Sequence, residues 1–267
     1  MLRFLTLELS VSVRSILKVV KGGSVMAGHS KFANIKHRKG AQDIKRGKIF
    51  TKLQKEITVA VKTGGGGDPA MNPRLRLALA NARGANMPKD NVERAIKKAE
   101  GSQYENFVEV TFEGYGPDGT AVFVECATDN NTRTVSNIRS YFNKYGGSLG
   151  KDGCLEFIFT RKGIFHLKGD GLNEDDFTME MIDAGAEDVE FEDGIVTVIS
   201  EMEEFGNISK NLQELELETL EAGLKRVPNT IKEVSENSYP KFEKLIEIIE
   251  DDEDVQKVYH NAILNDY

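Results

Sequence analysis

The sequence predicts an α+β protein: a basic helical amino-terminal domain, then two α/β sandwich-like domains, the last of them ferredoxin-like and inserted in the middle one. Three observations carry this. Apolar residues recur at three- and four-residue steps as far as about residue 100 and give way to short alternating or continuous apolar runs beyond Gly101. The charge changes sign at the same point: residues 27–101 hold 17 basic and 6 acidic side chains, residues 102–267 hold 14 and 36. Finally, the strand and helix order of residues 163–227 is complete in itself and interrupts a second, incomplete set.

The helical domain spans residues 26–101. Between Asp43 and Lys62, Phe50, Leu53, Ile57, Ala60 and Val61 form one apolar stripe. Lys45, Lys48, Lys52, Lys55 and Lys62 fall on nearly the opposite side at 3.6 residues per turn. Gly64–Gly67 ends this helix and lacks the Gly-Lys-Ser/Thr of a phosphate-gripping loop, so it reads as a loop only. Asn72 and Pro73 read as N-cap and first helical position of a second helix with Leu75, Ala78, Leu79 and Ala82 inside. A third starts near Pro88, with Asp90 and Glu93 at its positive end, and stops at Gly101.

The middle domain takes residues 102–162 and 228–267. Its predicted strands are 107–112, 120–127 and 154–160, with a helix through Val135, Ile138, Tyr141 and Phe142 that stops at Gly146-Gly147. The hexapeptide Gly114–Gly119 matches GxGxxG but leads into a strand where a dinucleotide site needs a helix, so it is a turn. Residues 163–227 read strand (164–167), helix (174–184), strand (189–191), strand (195–199), helix (203–212), strand (216–225), a ferredoxin-like order. The middle domain then resumes with 231–234, a helix over 241–250 and a strand over 255–262. The run 247–254 reads as an acidic, solvated helix end.

Composition narrows the function. The 267 residues, 39% hydrophobic and 29% charged with a net charge of −8, describe a globular chain. The absence of Trp and 8% aromatic content argue against a base-stacking surface. Cys126 and Cys154 sit in apolar runs and read as buried free thiols of a reducing, cytoplasmic compartment. Residues 1–25 read as an upstream extension before a start at Met26, with an organelle leader as the alternative; Arg3, Glu8, Arg14 and Lys18 interrupt any spanning segment.

A cationic head on an acidic body seeks a polyanion. The candidate nucleic-acid contacts are Lys31, Lys36, His37, Arg38 and Lys39, then Lys45, Arg46, Lys48, Lys52 and Lys55, with Arg74 and Arg76, and behind them Arg83 and Lys89. His29 and His37 lack metal-ligand or acid–base partners at a suitable spacing. His166 and His260, on predicted strands, read as structural. The segment Asp129-Asn-Asn-Thr-Arg133 is either a helix cap or a polar contact surface.

Ordered motifs add a resemblance. Ala27-Gly-His-Ser-Lys-Phe-Ala-Asn-Ile-Lys-His-Arg-Lys39, Lys48-Ile-Phe-Thr-Lys-Leu53, Asn72-Pro-Arg-Leu-Arg76, Asn86-Met-Pro-Lys-Asp-Asn91, Phe112-Glu-Gly-Tyr-Gly-Pro117, Thr128-Asp-Asn130 and Phe159-Thr-Arg-Lys-Gly163 resemble the YebC/PmpR family from Met26 onward. Phe32 departs from the pattern, where many relatives carry Trp. The resemblance implies a three-domain, non-enzymatic regulator of gene expression. Bacterial members are DNA-binding transcriptional regulators, while others, including a mitochondrial relative, are similar to translation factors at the ribosome. The expected partner is therefore DNA or RNA, with the ribosome as the alternative, and no cofactor, membrane or small-molecule substrate is expected.

Overall fold

The computed structural model describes residues 39–101, 107–217 and 219–264, with side chains from Gly47 onward. From residue 44 they divide into two compact units. One comprises 161–217, 219 and 223–227, the other 44–101, 107–160, 220–222 and 228–264. The protein is of mixed α and β structure, as the periodicities predict.

In the larger unit, three helices come first: α1 (Lys39–Thr63), α2 (Pro73–Gly84) and α3 (Lys89–Glu100). The apolar stripe of α1 is the one that packs, with Ile57, Ala60 and Val61 buried against Leu75, Ala78 and Ala82 of α2 and Ala95 and Ala99 of α3. Asn72 caps α2 as its position before Pro73 predicts: its side-chain oxygen accepts the Leu75 N–H at 2.9 Å.

The same unit continues with β1 (Val108–Tyr115), β2 (Ala121–Thr128), α4 (Asn131–Lys144) and β3 (Ser148–Leu149). β1 and β2 pair antiparallel from Val108↔Thr128 to Tyr115↔Ala121 and are joined by a turn at Pro117–Gly119, so the glycine hexapeptide is a hairpin turn. Completing the unit, β8 (Lys232–Val234), α7 (Tyr239–Asp251), β9 (Val255–His260) and β10 (Ala262–Leu264) follow, with β9 antiparallel to β2 and β10 parallel to β8. Ile138 and Phe142 of α4 and Leu245 and Ile249 of α7 share one core with Val122 and Val124 of β2.

The smaller unit contributes β4 (Phe159–Lys168), α5 (Glu174–Asp183), β5 (Ala186–Glu192), β6 (Ile195–Glu201), α6 (Phe205–Glu214) and β7 (Thr219–Pro228). The strand order β5-β6-β4-β7, with β4 antiparallel to β6 and β5 antiparallel to β6, is that of a ferredoxin-like sheet. Phe165 of β4 stacks on Phe205 of α6 with ring centroids 4.6 Å apart.

One expectation is corrected. The separate strands predicted at 154–160 and 164–167 are a single strand, β4, and residues 152–158 form turns. Glu113, buried on β1, is the cause: its carboxylate accepts the N–H groups of Gly153 (2.9 Å) and Leu155 (2.5 Å) and holds that segment out of extended pairing. Gly163 does not break β4 because Phe205 and Ser200 fill the space a Cβ would need.

Both cysteines are free thiols; Cys126 is buried and Cys154 half-buried. Burial pushes the Cys126 thiol up to about 12, as expected of an inert core cysteine. His166 is buried on β4, with Nδ1 3.1 Å from Thr197 Oγ1.

His260 makes a testable contribution to stability. It lies edge-on to the Phe242 ring, centroids 5.1 Å apart, and burial lowers its pKa to about 4. Above pH 6.5 the ring is neutral in folded and unfolded chains alike. Between there and about pH 4 only the unfolded chain takes up the proton, so stability falls as pH falls, by up to about 3 kcal/mol. Urea unfolding across that window should show this slope, and His260→Gln should flatten it. Equal slopes in the two proteins would contradict the assignment.

Candidate nucleic-acid interface

Lys48, Lys52 and Lys55 of α1 do not form the open stripe their spacing implies. Lys48 Nζ lies 2.5 Å from Asp251 Oδ1 at the end of α7. Lys55 Nζ lies 3.2 Å from Asp254 Oδ1, donates to the Glu253 carbonyl, and stands 5.9 Å from the Phe107 ring centroid. Lys52, between them, is half-buried. Burial pushes its pKa below the ordinary lysine range, and Lys48 adds to this against the opposing fields of Glu250 and Asp251. The acidic run 247–254 is thus not simply solvated surface: its last residues receive the cationic side of α1. The physical reason was present in the charge split, since a basic head and an acidic body attract each other before they attract anything else.

Arg74 is engaged in the same way. Its guanidinium pairs with Glu109 of β1 through both carboxylate oxygens, at 2.8 and 2.5 Å, and also donates to Thr63 Oγ1 at 2.8 Å. The Glu109 hydrogen bonds raise its pKa above the ordinary arginine value. Both partners are about half exposed, so the pair orients α2 on β1 more than it stabilises the fold.

The remaining candidates differ. Arg76 and Arg83, seven residues apart and hence on one side of α2, are exposed, as are Arg94 and Lys97 on α3. Arg94 bonds within its own helix, to the Asp90 carbonyl at 3.1 Å and to Asn91. Lys89 is exposed and lies 3.5 Å from Glu93, one turn along. Lys31, Lys36, His37 and Arg38 lie outside the described residues, as do the side chains of Lys39, Lys45 and Arg46.

Asp254 is the residue that sequence reasoning missed. Its side chain is 8% exposed, and around it meet Lys55, Thr134 (2.9 Å) and Arg133, whose Nη2 lies 2.7 Å away. Arg133 also reaches Asp129 at 2.9 Å, and the Asn130 side chain accepts the Arg133 N–H at 3.0 Å as cap of α4. Of the two readings of Asp129–Arg133, the structure therefore supports the cap, extended into an internal ionic network.

Among the described residues, no group of three or more His, Cys, Asp or Glu is placed to hold a metal ion. No helix among them is long and apolar enough to cross a membrane. Three basic-faced helices, a sheet domain closed by its own carboxy-terminal segment and a ferredoxin-like insert define a multidomain α+β protein with a helical head.

That architecture has known counterparts. The family described as "TACO1/YebC protein N-terminal domain" matches residues 30–102, and "TACO1/YebC second and third domain" matches residues 107–262. The chain belongs to the TACO1/YebC family. It is 51% identical over 243 residues to a "Probable transcriptional regulatory protein" of Amoebophilus asiaticus, covering 90% of this chain and 99% of the relative. It is 48% identical to "Probable transcriptional regulatory protein YrbC" of Bacillus subtilis, covering 88% and 99%. The crystal structure of a conserved hypothetical protein, Aq1575, from Aquifex aeolicus is similar with a TM-score of 0.76 at 39% identity, covering 89% of this chain and 98% of that one.

Proposed function

We propose that the protein is a cytoplasmic regulator of gene expression that binds DNA through its helical head and acts by binding rather than catalysis, without a cofactor, a membrane or a small-molecule substrate. One observation carries this reading: Arg76, Arg83, Arg94 and Lys97 stay exposed on α2 and α3, in a domain with 11 more basic than acidic side chains, while Lys48, Lys55 and Arg74 pair with carboxylates. The names of the relatives, probable transcriptional regulatory proteins, agree with it. The basic segment Lys31, Lys36, His37, Arg38 and Lys39, with Lys45 and Arg46, is proposed as a further contact on its charge.

Cations that contact phosphate release condensed counterions, so affinity for duplex DNA should fall by about 10³-fold between 50 and 200 mM salt if six or more contacts form. Arg76→Gln with Arg83→Gln should weaken binding at every sequence and lower the log–log salt slope by about one per arginine. Affinity indifferent to salt would overturn the reading. Failure to bind duplex, together with RNase-sensitive sedimentation with ribosomes, would assign the same surface to translation. Metal-dependent turnover of nucleic acid by the pure protein would refute a binding-only role.

A further inference from the structure

We infer that the acidic end of α7, Glu250 to Asp254, is an internal polyanion mimic that occupies Lys48, Lys52 and Lys55 of α1, so that an external polyanion must displace its outer residues, Glu250 and Asp251, to use Lys48 and Lys52. This rests on the proposed function only in supposing that the head meets a polyanion.

The geometry is that of competition. Three lysines at i, i+4 and i+7 share one side of α1, and facing them stand Asp251, the Glu253 carbonyl and the Asp254 carboxylate. Glu250 and Asp251 bear electrostatically on Lys52 between the two direct pairs. The Asp251 and Asp254 carboxylates, with the Glu253 carbonyl between them, line up oxygens along one backbone toward the lysines, much as a phosphate backbone would.

The contact is also graded along its length. At one end, Lys48 and Asp251 are about half exposed, so water and salt screen their attraction and either can leave at little cost. At the other, the Lys55 and Asp254 side chains are 20% and 8% exposed, and Asp254 is also held by Arg133 and Thr134. An incoming polyanion can therefore take Lys48 first and Lys52 next, while Asp254 keeps its place on α4. The acidic segment would suppress weak, non-specific polyanion binding, because only a ligand with several closely spaced charges recovers what the opened contact loses.

Dextran sulfate tests this without carboxylates or bases on the ligand. The full-length chain is titrated with it and its carboxyl groups are labelled with carbodiimide and glycine ethyl ester, read by mass spectrometry. Saturation with dextran sulfate should raise labelling of Asp251 severalfold and leave Asp118, remote from α1, unchanged. Glu250→Gln with Asp251→Asn, both exposed positions, should bind dextran sulfate about five- to tenfold more tightly than the wild type. Binding without increased Asp251 labelling, equal affinity of the two proteins, or no binding by either would each overturn the mimic. If dextran sulfate opens the contact but neither duplex DNA nor RNA binds, the mimic stands and the nucleic-acid reading fails.

Discussion

Asp254→Ala should lower the stability of the larger unit by about 2–4 kcal/mol. The carboxylate accepts Arg133 Nε and Nη2 at 3.2 and 2.7 Å, Thr134 Oγ1 at 2.9 Å and Lys55 Nζ at 3.2 Å, while its backbone carbonyl accepts the Ala127 N–H at 2.8 Å. Truncation leaves the backbone bond intact and removes the acceptor at which α1, α4 and the loop before β9 meet. Arg133 is about half exposed and can rehydrate, which keeps the estimate below that for a fully buried ion pair. Lys55 and the buried Thr134 have less access to water. Asp254→Asn, which keeps one acceptor oxygen, should fall between.

The pH dependence fixes the sign. Desolvation alone raises the Asp254 pKa, but hydrogen bonds from Arg133, Thr134 and Lys55 outweigh it and hold the carboxyl below its ordinary value. A carboxyl depressed in the folded state contributes stability that is complete above its unfolded pKa, near 4, and is lost as pH falls through the folded value. The difference between wild type and Asp254→Ala, measured by urea unfolding, should hold from pH 7 to about 5 and shrink only below about 4. That range lies beneath the window in which His260 titrates, so the two groups separate in one pH series. A difference under about 0.5 kcal/mol at pH 7 would mean that the network only follows the fold.

How much of this the sequence discloses depends on the range of the interaction. Asn72 before Pro73, the apolar stripe of α1 and the ferredoxin-like order are local or periodic, and each appears in the structure within a few residues of its predicted place. The strand predicted at 154–160 is not local in origin. Its apolar residues are genuine, with Leu155 and Phe159 buried beside Phe123, but a carboxylate some forty residues earlier accepts the Gly153 and Leu155 N–H groups and turns the backbone there. Charge behaves likewise: periodicity shows that Lys48, Lys52 and Lys55 share a side of α1, but not that a segment about two hundred residues later supplies their counter-charges. An apolar stripe must be buried whatever covers it, whereas a cationic stripe can face water, ligand or its own chain. Only the fold decides among these.

Asn72→Ala should cost about 2–4 kcal/mol, by a mechanism confined to the head. Asn72 is fully buried and satisfied at both ends of its amide: Oδ1 accepts the Leu75 N–H, and Nδ2 donates to the carbonyls of Ala60 and Gly66 at 2.8 Å each. One side chain thus ties the last turn of α1, the glycine loop and the first turn of α2. Gly64 is required beside it, because a Cβ there would collide with Asn72 Oδ1. Alanine removes the cap and leaves the Gly66 carbonyl without its donor, while the Ala60 carbonyl keeps the Gly64 N–H at 2.9 Å. Asn72→Asp retains an acceptor for Leu75 but sets an anionic oxygen against two carbonyls, so it should be no more stable than alanine at pH 7. Hydrogen exchange should show faster opening of 57–84 in both variants, with the cores around Phe142 and Phe165 unaffected. Arg74 and Arg76 stand two and four residues beyond this cap, so loosening it should also weaken the proposed DNA binding with the arginines still present. Wild-type affinity in a measurably destabilised Asn72→Ala would show that the exposed arginines of α2 need no fixed direction, and would count against a specific interface there.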